Sequence, residues 1–224
     1  MSFRRRATRP VLRFVASVLM TSGVLLLADA GLTLAWQEPV SSFLAARLQA
    51  QLEDELEDQA ALTERDKDAV MDIRDVRRRI RRLAQLQKAR TDEGDPIGRI
   101  KFRSRDYVIV EGDDTESLRK GPGHYPWTEW PGEGKTVGIA GHRTTYGAPF
   151  RTLDQLDRGD EVVLEMPYAR LTYRVAREDI VPPSATWVTR DAREERLVLS
   201  ACHPLYSAAK RIVIFARLER AEPS

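Results

Sequence analysis

The chain has 224 residues, enough for one ordinary domain with additions. Apolar residues make up 42%, so a core can form, and 36 Lys and Arg against 34 Asp and Glu leave a net charge of +2, which gives no argument for a nucleic-acid partner. A single cysteine excludes an intrachain disulfide, and the three histidines do not combine with it at metal-ligand spacing, so neither a metal nor a cofactor is expected.

Residues 1–13 read as a basic tail ending in Arg9 and Arg13. Phe14 to Ala28 is uncharged, Asp29 interrupts the run, and AGLTLAW carries it on to Trp36. A helix crosses a bilayer with about 20 apolar residues, so 14–36 reads as a single-pass anchor with Trp36 at the far interface. Arginines before the run stay in the cytoplasm, which places everything from residue 37 outside. Two other readings stay open: a cleaved signal peptide, because Ala28-Asp29-Ala30 is a small-x-small site, and a buried core helix.

Residues 37–95 are rich in charge and contain no glycine before Gly94. Leu44, Leu48, Leu52 and Leu56 recur every four residues, and Ile73, Val76, Ile80 and Leu83 at three and four, which predicts helices. The segment reads as a solvated helical stalk, with a coiled-coil oligomeriser as the other option. Its acidic block (residues 53–58) and basic block (residues 77–82) attract each other if it folds back as a hairpin. The basic block also suits anionic wall polymers or lipid head groups. Thr91 to Pro96 marks the hinge where the stalk stops.

From residue 96 to 224 short runs rich in Val, Ile and Tyr alternate with Gly and Pro turns. Strands are expected at Ile97–Phe102, Tyr107–Glu111, Thr136–Ala140, Glu161–Met166, Arg170–Ile180, Arg196–Ala201 and Arg211–Leu218. Short helices are expected at Thr115–Lys120 and Phe150–Leu156. That many strands in so short a stretch predict a mainly β fold, a closed barrel or a sandwich.

Cys202 ends the apolar strand LVLSAC. A lone cysteine is ordinarily buried and inert, but a free thiol in an exported domain calls for an explanation, and nucleophilic catalysis supplies one. Arg211 follows nine residues later; if the two strands pair antiparallel, it returns beside Cys202 as an oxyanion-stabilising cation that cannot act as a base. His142 ends the strand Thr136–Ala140 and is the acid/base candidate. His203 points the other way from its neighbour Cys202 on an extended chain. His124 belongs to a turn.

The segments GPGHYPWTEWPGEGKTVGIAGHRTTYGAPF (Gly121–Phe150) and LVLSACHPLYSAAKRIVI (Leu197–Ile214) resemble the sortases, especially those of class E. The resemblance implies an eight-stranded β-barrel on the outer face of a Gram-positive plasma membrane. It implies cleavage of a C-terminal sorting signal similar to Leu-Pro-x-Thr-Gly or Leu-Ala-x-Thr-Gly, between Thr and Gly, through a thioester on Cys202. His142 then serves as acid and base and Arg211 holds the carbonyl oxygen. The partners implied are secreted proteins with that signal and an amine acceptor, either a cell-wall precursor or the lysine of a pilin. Ser200, Ala201, Thr144, Tyr146 and Tyr206 are the candidates for substrate contact. The family commonly carries Thr-Leu-x-Thr-Cys where this chain has Val198-Leu199-Ser200-Ala201-Cys202. That departure leaves room for a non-catalytic scaffold with a degenerate barrel.

Overall fold

The computed structural model describes residues 8–35 and 39–224. Trp36, the expected interfacial anchor, lies outside the described residues. The chain divides into two compact units, 1–39 and 40–224.

The first unit is helix α1, Thr8–Ala35. It starts earlier than the apolar run, because Arg9 and Arg13 favour helix as much as the residues after them. Its segment Pro10–Gly31 is long and apolar enough to cross a bilayer.

The second unit opens with α2 (Pro39–Ala69) and α3 (Val76–Lys88). The segment expected as a solvated stalk is therefore two helices joined by a short turn, and both bury side chains against the strands that follow. Leu52 is buried with Val108 and Val110, and Leu56 packs partly against them. Leu44 is exposed. A four-residue repeat drifts about 40° per step on a helix of 3.6 residues per turn, so the leucines spread around α2 rather than holding one face. Asp75 caps α3, accepting from Arg78 N–H at 2.7 Å. Ile80, Leu83 and Ala84 enter the main core, and Gln87 Nε2 donates to the Ile97 carbonyl. Among the described residues no ion pair joins the acidic and basic blocks; Glu53 pairs instead with Arg99 at 3.1 Å.

Eight strands follow: β1 (Pro96–Phe102), β2 (Arg105–Glu111), β3 (Gly123–His124), β4 (Thr136–Ala140), β5 (Glu161–Met166), β6 (Ala169–Val181), β7 (Arg196–His203) and β8 (Lys210–Pro223). Helix α4 (Thr115–Lys120) lies between β2 and β3. The strands close into a barrel in the order β1-β2-β3-β4-β7-β8-β6-β5. Strand β3 occupies a stretch expected to be a turn. Two residues carry no alternation, and only pairing with β2 and β4 makes them a strand.

Two pairings position the site. Strands β4 and β7 run parallel, with Ala140 opposite Ser200, so both leave the barrel at the same end. Strands β7 and β8 run antiparallel, with Cys202 opposite Arg211. Alternation sorts the side chains. Leu197, Leu199, Ala201, Ile212 and Ile214 fill the interior, while Val198, Val213 and Phe215 form a second cluster on the outer face. That cluster also takes Ala185 and Val188 from the β6–β7 connection, which folds over the outside of the sheet.

Candidate active site

Cys202, the only cysteine, is half-buried at the end of β7. His142 follows β4 by two residues. The Gly141 N–H donates to the Ser200 carbonyl at 3.1 Å, extending the parallel register to a point where His142 is level with Cys202. Arg211 stands across from Cys202 on β8. Three neighbouring strands, spaced about 4.8 Å apart, thus present His142, Cys202 and Arg211 in that order. Gly141 leaves room beside the site for the Phe150 ring, which a Cβ there would meet at 2.6 Å.

Burial pushes the His142 imidazole below the ordinary histidine range, so the ring is neutral at pH 7 and can accept a proton. Its Nε2 is shielded from solvent and has no hydrogen-bond partner. The Tyr146 ring packs against it with centroids 5.2 Å apart. The Arg211 guanidinium donates through Nη1 to the carbonyls of Ala208 and Lys210, both at 3.1 Å, which fixes the side chain at the mouth of the β7–β8 connection.

The remaining candidates separate. Ser200 shares the outer face with Cys202, and its Oγ lies 2.6 Å from the Tyr125 hydroxyl. Ala201, expected at the substrate surface, turns into the barrel core instead, because odd-numbered residues of β7 point inward. Thr144 is half-buried in the loop after His142. Tyr206 is exposed, and its hydroxyl is 3.5 Å from Arg151. His124 lies on β3, fully buried, with Nδ1 2.9 Å from Glu111 and Nε2 facing the Glu129 carbonyl. It holds the barrel rather than the site.

Two residues that the sequence reading passed over complete the arrangement. Tyr125 carries the hydroxyl that meets Ser200. Burial raises its pKa, and Arg211 and Cys202 both act on it electrostatically. With Trp127, Pro182, Thr186 and Arg211 it lines a groove of about 120 Å³ along the outer face. Arg143 is the buried one. Its Nη1 faces the Cys202 carbonyl at 3.4 Å and His203 Nδ1 at 3.3 Å, while Nη2 reaches the Arg151 carbonyl at 3.2 Å and Asp154 at 2.8 Å. A guanidinium only donates, so these contacts tie the loop after His142 to the end of β7 and to the segment that follows Phe150. No sequence signal marked Tyr125, which meets Ser200 across 75 residues. The position of Arg143 directly after His142 was the available hint.

The profile of the sortase domain family matches residues 97–219. Sortase D of Bacillus subtilis is 32% identical over 134 residues, covering 58% of this chain and 66% of that protein. Sortase SrtE1 of Streptomyces coelicolor is 28% identical over 97 residues, covering 38% of this chain and 27% of that protein. Among solved structures, a Clostridium perfringens sortase D5 transpeptidase shares the fold with a TM-score of 0.63 at 22% identity, covering 78% of this chain and 99% of that one. Sortase E of Streptomyces avermitilis aligns with a TM-score of 0.53 at 30% identity over 59% of this chain and 93% of that one. The eight-stranded closed barrel, its parallel β4–β7 pair and the family match over residues 97–219 place this chain in the sortase family, whose members are cysteine transpeptidases.

Proposed function

We propose that this chain is a membrane-anchored transpeptidase in which Cys202 attacks a sorting signal of the Leu-Pro-x-Thr-Gly or Leu-Ala-x-Thr-Gly kind between Thr and Gly. The observation that carries the reading is the parallel β4–β7 pair with the antiparallel β7–β8 pair, which levels His142, Cys202 and Arg211 at one end of the barrel. Neutral His142 takes the Cys202 proton as substrate arrives. The thiolate attacks the Thr carbonyl, and Arg211 balances the charge growing on its oxygen. His142 then returns the proton to the departing Gly amine. A primary amine on a cell-wall precursor resolves the thioester; the lysine of a pilin is the alternative acceptor. Segment Pro10–Gly31 supports a single-pass anchor with the barrel outside the cytoplasm.

Mass spectrometry of the chain mixed with each peptide tests this reading. Wild type gains the mass of the acyl fragment on Cys202, and Cys202→Ala gains none. Arg211→Ala slows adduct formation by about 10²–10³. An adduct of equal yield on Cys202→Ala would sink the assignment.

A further inference from the structure

Transfer needs two approaches to one thioester. The groove lined by Tyr125, Ser200 and Arg211 lies on the β8 flank, where Arg211 stands opposite Cys202. His142, which must take the proton of the incoming amine, stands on the opposite, β4 flank. There the chain turns through three successive residues of left-handed backbone, Tyr146 (φ 51°), Gly147 (φ 73°) and Ala148 (φ 44°). Tyr107 Oη donates to the Gly147 carbonyl, and Ala45 of α2 faces the turn, 3.5 Å from where a Cβ on Gly147 would stand. The turn is therefore held between β2 and α2, with the Tyr146 ring against His142.

Behind Tyr146 lies a cavity of about 340 Å³ between this turn and α2, large enough for an extended side chain. Ala45, Ala46 and Ala50 supply methyl groups on one wall, and Tyr107 and Tyr146 supply rings on the other. Glu53 and Asp106 line it as well. Both pair with the single Arg99 guanidinium, and Glu53 uses only Oε1, leaving Oε2 open. Lys120, the cation of the lining, gives its ammonium to the Gly94 carbonyl.

We propose that this cavity receives the acceptor: a primary amine on an aliphatic stem, such as a lysine side chain. The inference rests on the transpeptidase reading above. The alanines and Tyr107 cover the stem, and Glu53 holds the ammonium. Tyr146 moves off His142 as the amine advances. The ammonium sheds one proton to solvent as it leaves Glu53. The freed nitrogen attacks the thioester carbonyl while His142 takes its second proton, the amide C–N bond forms, and the C–S electron pair returns to Cys202 as thiolate, which the His142 proton then neutralises. Water needs no such cavity, so the α2 wall favours transfer over hydrolysis.

The test uses the full chain with a sorting peptide, first alone and then with Nα-acetyl-lysine amide or hydroxylamine as acceptor. Ala46→Trp fills the cavity from an exposed helical position. Lysine-amide transfer relative to hydrolysis is expected to fall at least tenfold, while hydroxylamine, small enough to bypass the cavity, is consumed as in wild type and reports an intact fold. Glu53→Gln is expected to raise the KM for the lysine amide several-fold with kcat unchanged. An acyl-enzyme that forms in Ala46→Trp and partitions as in wild type overturns the inference alone. Absence of any acyl-enzyme in wild type, seen before an acceptor is added, overturns the transpeptidase reading and this inference together.

Discussion

The residue that joins the two sides of the site is Arg143. It belongs to the loop that carries His142, yet its guanidinium reaches the Cys202 carbonyl, His203 and Asp154. Arg143→Met keeps the volume and leaves these acceptors unpartnered. A stability loss of about 2–4 kcal/mol is expected, measured by denaturant unfolding. Arg143→Lys should recover only part of it, since an ammonium cannot span acceptors on separate segments. His142 gives a pH prediction. Its pKa is depressed by burial, so the stability linked to it is present above the ordinary histidine range and is lost as pH falls through its folded value. Tyr146→Ala opens the ring to solvent. The His142 pKa then rises toward about 6.5, and the acid limb of kcat/KM moves to higher pH. An NMR titration of the ring reads the same shift directly.

Among the elements, the segment 130–134 between β3 and β4 is bolted to the start of β7 by Glu195. Its Oε1 accepts from Gly132 N–H at 2.8 Å and from Tyr173 Oη at 2.6 Å, and Oε2 accepts from Gly134 N–H at 3.0 Å. Because β4 and β7 pair in parallel, this contact sits at their starts, opposite the end that carries His142 and Cys202. Burial raises the Glu195 pKa, and the three donors oppose that rise. The stability tied to the raised pKa is present below the ordinary carboxylate range and is lost as pH climbs through the folded value. Glu195→Ala strands three donors, and thermal unfolding should show a loss of about 2–4 kcal/mol together with a flatter pH dependence above pH 5.

For the molecule as a whole, the barrel does not end at residue 96. Gln49 of α2 pairs with both backbone groups of Val108, accepting from its N–H at 2.8 Å and donating to its carbonyl at 3.1 Å, and donates to the Lys120 carbonyl. It substitutes for a neighbouring strand where β3 is too short to pair with β2. Ile80, Leu83 and Ala84 of α3 belong to the main core. A chain cut to 96–224 exposes Val108, Val110 and the face under α3. It is expected to unfold at lower denaturant than 40–224, with an m-value too small for an intact core. Equal midpoints for the two would show that α2 and α3 contribute nothing to the barrel.

The sequence by itself determined most of the local structure. Short runs rich in Val, Ile and Tyr, bounded by Gly and Pro turns, marked seven of the eight strands, because strand-forming residues and turn residues are both local signals. Cys202, His142 and Arg211 were legible as strand-end residues, through the motifs around them and the nine-residue spacing that a hairpin return explains. Only the tertiary structure decided which strands are neighbours. The parallel β4–β7 pairing joins residues 60 apart, and nothing local encodes it. The same limit hid Tyr125 beside Ser200 and the inward turn of Ala201. It also turned the expected stalk into a wall of the barrel, since an amphipathic helix states that it will bury a face but never against what.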